Sequence, residues 1–305
     1  MARNCAARGW PVHPLAPGGK VPAANCPECR PGGPGGAPHR PQECGCRAAG
    51  RWCHGFHAAT TDQARIGQWW GGRPGFGVGV ACGPAGLVVI DIDAHPGAVP
   101  ARDRILPGTG IGEAVDLTGL ANGFHSLAVL AALSGRPTPV DDASTLRVRT
   151  PSGGMHVWYL AGGGRWSCSS GNGGGRGLAW QVDVRAEGGY IVAPGTVTAA
   201  GRYHPLPGAT EPAVLPDWLA RQLRRTGHQP PSGAAPVGPR PVPPRARQAV
   251  LAAGGAAPGT ARLVAAAVER VAEAVRPGQE RRAEQIIRSG LAAGERHPLR
   301  PGRRP

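Results

Sequence analysis

Two aspartates one residue apart, Asp91 and Asp93, close the apolar run Gly-Leu-Val-Val-Ile-Asp-Ile-Asp at residues 86–93. The run is rich in β-branched residues and reads as a strand. Side chains alternate across a strand, so both carboxylates face one side, ~7 Å apart along the backbone. Two like charges at a strand end cost stability unless a cation neutralises them, and hard cations such as Mg2+ take oxygen ligands. Taken alone, the pair also reads as two solvated acids. Asp183 lies in a second alternating run, Gln-Val-Asp-Val-Arg, where Val182 and Val184 share one face and Asp183 and Arg185 the other. It is either half of a surface ion pair with Arg185 or a third ligand. Three carboxylates from two strands suit two divalent cations, Mg2+ or Mn2+, in phosphoryl transfer.

Two further constellations carry chemistry. Ser152, Gly153 and Gly154 form a tight turn whose amides can face an anion. His156 follows on an apolar strand, placed for a phosphate oxygen or a 3′-hydroxyl, or else as a packed histidine. Residues 26–54 hold Cys26, Cys29, Cys44, Cys46, Cys53 and His54, with His39 and His57 nearby. Cys-x2-Cys followed by further Cys and His is close to structural zinc spacing. A Gly/Pro-rich segment has little apolar core, and zinc would supply its folding energy. The expectation is about one structural zinc, with Cys26 and Cys29 the firmest ligands. Cys-x-Cys chelates one ion less easily, so only one of Cys44 and Cys46 is expected to join. The other reading is a reduced loop without metal. Cys5, Cys82 and Cys168 lie apart and read as packed thiols.

The elements that must hold these residues follow from periodicity. Residues 1–20 suggest a short helix and a turn at Pro-Gly-Gly-Lys. A helix follows Thr60 or Thr61 as N-cap, with Ile66, Trp69 and Trp70 at helical spacing. FGVGVACG and GLVVIDID read as a hairpin, LRVRT and MHVWYL as two tightly joined strands, and AWQVDVRA and GGYIVAPG as a further pair. Residues 94–121 read as irregular, and a helix capped by Asn122 ends at Gly135. LPDWLARQLRR is an amphipathic helix closing a domain at residues 1–226. A Pro/Gly/Arg linker covers 227–257 and a helical, basic extension 258–305.

Composition bounds the rest. The 305 residues include 50 Gly, 34 Pro and 8 Cys, yet 41% are hydrophobic, enough for one sizeable core. The net charge is +15, and Lys20 is the single lysine. From residue 232 onward there are 13 arginines and 5 glutamates, so +8 lies in a flexible basic tail. Such a chain favours a polyanionic partner. No window approaches a transmembrane span and no apolar signal core opens the chain, so a cytoplasmic protein without membrane association is expected. No GxxxxGK[ST] supports a P-loop motor.

The order of these motifs resembles the bifunctional DNA primase/polymerase (prim-pol) family of the archaeo-eukaryotic primase superfamily, common on plasmids, phages and integrated elements. The resemblance runs over roughly residues 5–220, from Arg8-Gly9-Trp10-Pro11-Val12 and Pro17-Gly18-Gly19-Lys20 through HAATTD, LVVIDID and TPSGGMH to VDVRAEGGYIVAPGT. Actinobacterial-type members carry a similar insertion ending in CHGFHAAT. The resemblance implies an α+β fold: an RRM-like core of mixed or antiparallel sheet with flanking helices and a Cys-rich insertion. It implies Asp91, Asp93 and Asp183 as metal ligands, Ser152, Gly154 and His156 as the nucleotide-phosphate motif, and Arg185 lining the nucleotide pocket. It further implies template-dependent nucleotidyl transfer from dNTP or rNTP on single-stranded or primed DNA, replicating a mobile element. With no helicase motif in the chain, a separate helicase is the expected partner. The alternatives are a non-catalytic nucleic-acid-binding accessory that keeps the fold, and a metal-dependent nuclease built on the same acids.

Overall fold

The computed structural model describes residues 1–30, 39–169 and 176–229. The chain forms α1 (Ala2–Ala7), β1 (Val12–Leu15), α2 (Gly45–Ala48), α3 (Gln63–Gly71), β2 (Gly77–Ala81), β3 (Leu87–Ile92), α4 (Arg102–Ile105) and α5 (Gly123–Leu133). It continues with β4 (Arg147–Arg149), β5 (Met155–Leu160), β6 (Val182–Arg185), β7 (Tyr190–Val192), β8 (Val197–Thr198), β9 (Gly201–Arg202), β10 (His204–Pro205), β11 (Ala213–Val214) and α6 (Asp217–Arg225). This is the expected α+β class. The linker and extension expected beyond residue 229 lie outside the described residues, as does part of the Gly/Ser loop after Leu160. Among the described residues no helix is long and apolar enough to cross a membrane.

The main sheet has the order β10-β4-β5-β3-β6, with β11 alongside the far end of β5 in parallel; a smaller sheet has the order β1-β2-β7. β3 is apolar on both faces, as a central strand covered on two sides must be. One face, with Val88, Ile90 and Ile92, packs against Leu127 and Leu130 of α5 and Leu219 and Leu223 of α6. The other, with Leu87 and Val89, shares a core with Val12, Val78, Val80 and Ile191 of the smaller sheet. Burying a side chain of this size stabilises the fold by about 1.5–3 kcal/mol.

Two expected hairpins are corrected. β2 pairs with β1 and β7, whereas β3 pairs with β5 and β6. β6 and β7 likewise belong to different sheets. Both short links carry the chain from one sheet to the other, and they meet where the Cys82 amide donates to the Gly189 carbonyl at 3.1 Å. Alternation reports which face of a strand is buried, not which strand lies beside it, so adjacency in sequence was the wrong guide. β4 and β5 do form the expected antiparallel pair.

Smaller differences have local causes. β1 occupies part of the segment read as helix and turn, because its apolar residues are buried between β2 and the loop at Thr60. The N-cap of α3 is Asp62, whose Oδ1 accepts from the amides of Ala64 and Arg65 at 2.8 and 3.2 Å. Thr60 is held extended by its bridge to Val12. One short helix, α4, interrupts the irregular stretch 94–121. α5 is capped by Asn122 as expected, and Gly135 beyond its end takes the left-handed conformation at φ +61°.

Candidate active site

Register gathers the acids. Asp91 of the central strand lies directly opposite His156 of β5 and Asp183 of β6. Residues opposite each other in an antiparallel pair point to the same face. His156, Asp91 and Asp183 therefore form a row across three strands, on the face toward the smaller sheet. Asp93 stands two residues further on that face. Its amide donates to the Gln181 carbonyl at 2.9 Å and its carbonyl accepts from Gly123 at 3.0 Å, at the start of α5. Gly123 has to lack a side chain, because a Cβ there would run into the carbonyls of Gln181 and Asp93.

Arg185 ties the row together. Its Nε and Nη2 both lie 3.1 Å from Asp91 Oδ2, and Nη2 also lies 3.1 Å from Asp183 Oδ2. His156 Nε2 lies 3.3 Å from Asp91 Oδ1. Burial by itself would raise the pKa of Asp91; His156 and Arg185 outweigh it and hold the carboxyl well below the usual range. The other two acids move the opposite way. Burial and then the Asp91 charge push Asp93 up. Burial also raises Asp183, with Asp91 and Asp93 adding to it against Arg185.

The candidate nucleotide motif lies at the same end of the main sheet. The turn between β4 and β5 places Gly153 at φ +89°, with Ser152 Oγ 3.1 Å from Thr150 Oγ1. Ser152 and Gly153 are exposed, while Gly154 is buried. A Cβ on Gly154 would collide with the carbonyl of Ile92, so this glycine lets β5 begin against the end of β3. His156 is buried, and its Nδ1 has no hydrogen-bond partner among the described residues. It therefore reaches Asp91 rather than the surface of the turn.

The structure adds residues that the sequence reading did not assign. Gln181, a non-glycine residue at φ +57°, clamps the segment after Asp93: its Nε2 donates to the His95 carbonyl at 2.8 Å and its Oε1 accepts from the His95 amide at 3.1 Å. Strained backbone of this kind persists where surroundings over-determine it. His95 Nε2 lies 3.3 Å from Asp93 Oδ1. The Tyr203 ring lies tilted beside His156, with centres 5.5 Å apart, and burial, then Asp91 and Asp93, push its hydroxyl up to about 12. Lys20 lowers the pKa of Asp93 through its charge, and its carbonyl accepts from the Tyr190 hydroxyl at 3.0 Å. No local pattern marks Gln181, which heads the run that carries Asp183, or Tyr203, which arrives from elsewhere in the fold.

The donor set suits hard divalent cations. Three carboxylates crowd one face, and burial first, with the neighbouring acids adding to it, makes Asp93 and Asp183 bind protons more tightly. With side-chain exposures of 38% for Asp93 and 34% for Asp183, a hydrated cation can reach both. Arg185 occupies the space between Asp91 and Asp183, and these acids are not among the described groups whose ligand atoms all fall within 4.8 Å.

Two groups do converge within 4.8 Å, both in the Cys-rich segment: Cys26, Cys29, Cys46 and Cys53, and Cys29, His39, Cys44 and His54. Every residue expected as a zinc ligand falls in one group or the other, and His39 joins them. His57 instead packs on Phe56, with ring centres 4.2 Å apart. Cys5, Cys82 and Cys168 are buried apart from the cluster.

A comparison with curated proteins gives no match. Residues 2–218 match the family described as bifunctional DNA primase/polymerase, N-terminal. That span covers well over half of the chain, from α1 into α6, and includes both the acid row and the cysteine groups. The chain belongs to the Prim-Pol family, whose domain is a primase/polymerase nucleotidyltransferase using a DNA template and nucleotide substrates.

Proposed function

We propose that Asp91, Asp93 and Asp183 form the nucleotidyl-transfer centre and hold two Mg2+ or Mn2+ ions. The observation that carries this reading is the register that sets Asp91 beside Asp183 on one face, with Asp93 next along it. When bound, such ions lower the pKa of an attacking 3′-hydroxyl and offset the charge of the triphosphate. Arg185 orients Asp91 and Asp183 in the free protein and is placed to meet incoming phosphate once cations take up those carboxylates. The exposed part of the turn, at Ser152 and Gly153, lies at the same end of the sheet and is placed to face the phosphates. His156 steadies Asp91 from the neighbouring strand. The catalytic unit spans residues 1–226, with 227–257 as a linker and 258–305 as a basic extension. The reading extends to replication of a plasmid, phage or integrated element, with a separate helicase opening the duplex. Zinc in the Cys-rich segment has a structural role.

The test is incorporation of labelled nucleotide on single-stranded and primed DNA, with Mg2+ or Mn2+. Wild-type protein is expected to extend a primer or make products without one. Asp91→Ala and Asp93→Asn are each expected to lose at least ~10²-fold in rate, the order seen when one group that stabilises transition-state charge is removed. Full activity in either variant would remove the acids from the mechanism. Degradation of DNA would indicate a nuclease, and binding alone an accessory protein.

A further inference from the structure

The Cys-rich segment contains more ligands than one tetrahedral ion can use, and their arrangement is specific. Among the described residues, Cys29 belongs to both converging groups. Cys26 Sγ lies 3.4 Å from Cys46 Sγ, and Cys29 Sγ lies 3.5 Å from Cys44 Sγ and 3.8 Å from His39 Nε2. His39 Nε2 and His54 Nε2 are 3.0 Å apart. Zinc bonds of ~2.3 Å to sulfur and ~2.0–2.1 Å to nitrogen put the edges of a tetrahedron at ~3.8 Å and ~3.4 Å. The observed spacings sit close to those edges. We propose that this segment binds two zinc ions that share the Cys29 thiolate: one held by Cys26, Cys29, Cys46 and Cys53, the other by Cys29, His39, Cys44 and His54. The proposal rests on the reading that the segment holds zinc, and goes beyond it in number and connectivity.

The ligand count closes. Six residues used once and one used twice fill two four-coordinate sites, leaving none of the seven over. The chain pattern also becomes intelligible. Cys44 and Cys46, one residue apart, serve different ions, and so do the neighbours Cys53 and His54. Residues so close in sequence chelate one tetrahedral ion poorly but suit two adjacent ions. His54 sits in the left-handed region at φ +69°, with its amide donating to Asn25 Oδ1 at 2.8 Å, and its ring faces His39. A non-glycine residue held there needs a compensating interaction. Five thiolates around a single Zn2+ would leave a charge of about −3; around two they leave about −1, which favours the second ion. Among the described residues the segment has little else to order it. Its helical pieces are a turn or so long, and its own core cluster is made of cysteines.

The experiment uses the full chain purified without chelator. Elemental analysis is expected to find two zinc ions per chain, and X-ray absorption to find a zinc–zinc distance below ~4.6 Å, twice the zinc–sulfur bond. The double variant His39→Ala, His54→Ala is expected to retain one zinc and lose that vector. One zinc per chain in the wild type, unchanged in the double variant, would overturn the second site. Two ions without a zinc–zinc vector below ~4.6 Å would overturn the shared thiolate. No zinc at all would overturn the zinc reading itself, a result distinct from the other two. If the double variant does not fold, the wild-type stoichiometry and vector still decide the question. None of these readouts depends on nucleotidyl transfer.

Discussion

Asp91 and His156 show how one contact bears on what a residue is expected to do. On the sequence, His156 follows an anion-facing turn and reads as a ligand of a phosphate oxygen or a 3′-hydroxyl, or else as a packed histidine. In the fold it is buried, with Nε2 on Asp91 Oδ1 and its ring against Tyr203. A residue that steadies a carboxylate alters the chemical step, whereas one that grips the triphosphate alters substrate affinity. His156→Ala is expected to lower kcat with nucleotide KM changed by no more than about twofold. His156→Gln, which keeps a donor near Asp91, should recover part of that loss. A large rise in KM at unchanged kcat would return His156 to the triphosphate. The same site carries opposed linkages to stability. Asp91, held low, adds stability that is present above its unfolded pKa and lost as pH falls through its lower folded pKa. Asp93, raised, has an ionised form that costs stability, and the cost fades as pH falls through its folded pKa. At neutral pH without divalent ions, Asp93→Asn is therefore expected to melt no lower than wild type even as it stops incorporation.

Among the elements, β3 decides most. It supplies Asp91, directs Asp93 beyond its end, and is flanked by the strands that bring His156 and Asp183. The turn before β5 is fitted against it so closely that Gly154 has no room for a Cβ beside the Ile92 carbonyl. Gly154→Ala is expected to cost about 1–3 kcal/mol, the usual penalty for forcing an atom into packed space. It should lower activity too, because the backbone that must move lies between Asp91 and Asp93. Ser152→Ala, on the exposed part of the same turn, should stay within about 0.5 kcal/mol of wild type. Denaturant unfolding of both variants checks the contrast, and equal stability of the two would show that the turn adapts without strain. Gly154 was legible in the sequence as part of a motif, but its reason was not. The approach of a carbonyl from another strand leaves no local signal.

At the scale of the molecule, +8 of the net charge of +15 lies in a part of the chain that holds neither candidate site. The acid row and the cysteine groups fall within residues 1–229, and the family match ends at residue 218. Residues 232–305 carry 13 arginines and 5 glutamates but none of the residues placed in either site. Removing them is expected to weaken DNA binding and flatten its dependence on salt, since fewer counterions are released. Primer extension at low salt should persist. Titration of DNA at several salt concentrations measures the slope, and a folded but inactive truncated protein would assign the extension a part in the active centre.

The sequence alone determined the residue types, the strands and helices that carry the acids, and the ordered motifs that mark the family. These are local properties: β-branched alternation makes Leu87–Ile92 a strand, and a two-residue period puts Asp91 and Asp93 on one side of it. It also named every residue of the two cysteine groups. Tertiary structure decided the partners. It sent β2 and β3 to different sheets, set Asp183 of β6 rather than a residue of the sequence neighbour β2 beside Asp91, and placed Arg185 between the two acids. It also divided Cys44 from Cys46 and Cys53 from His54. Strand pairing joins residues far apart in the chain, and its free energy comes from burying two faces of one sheet at once. No window of sequence contains both faces, so the contacts between them appear only when the layers close.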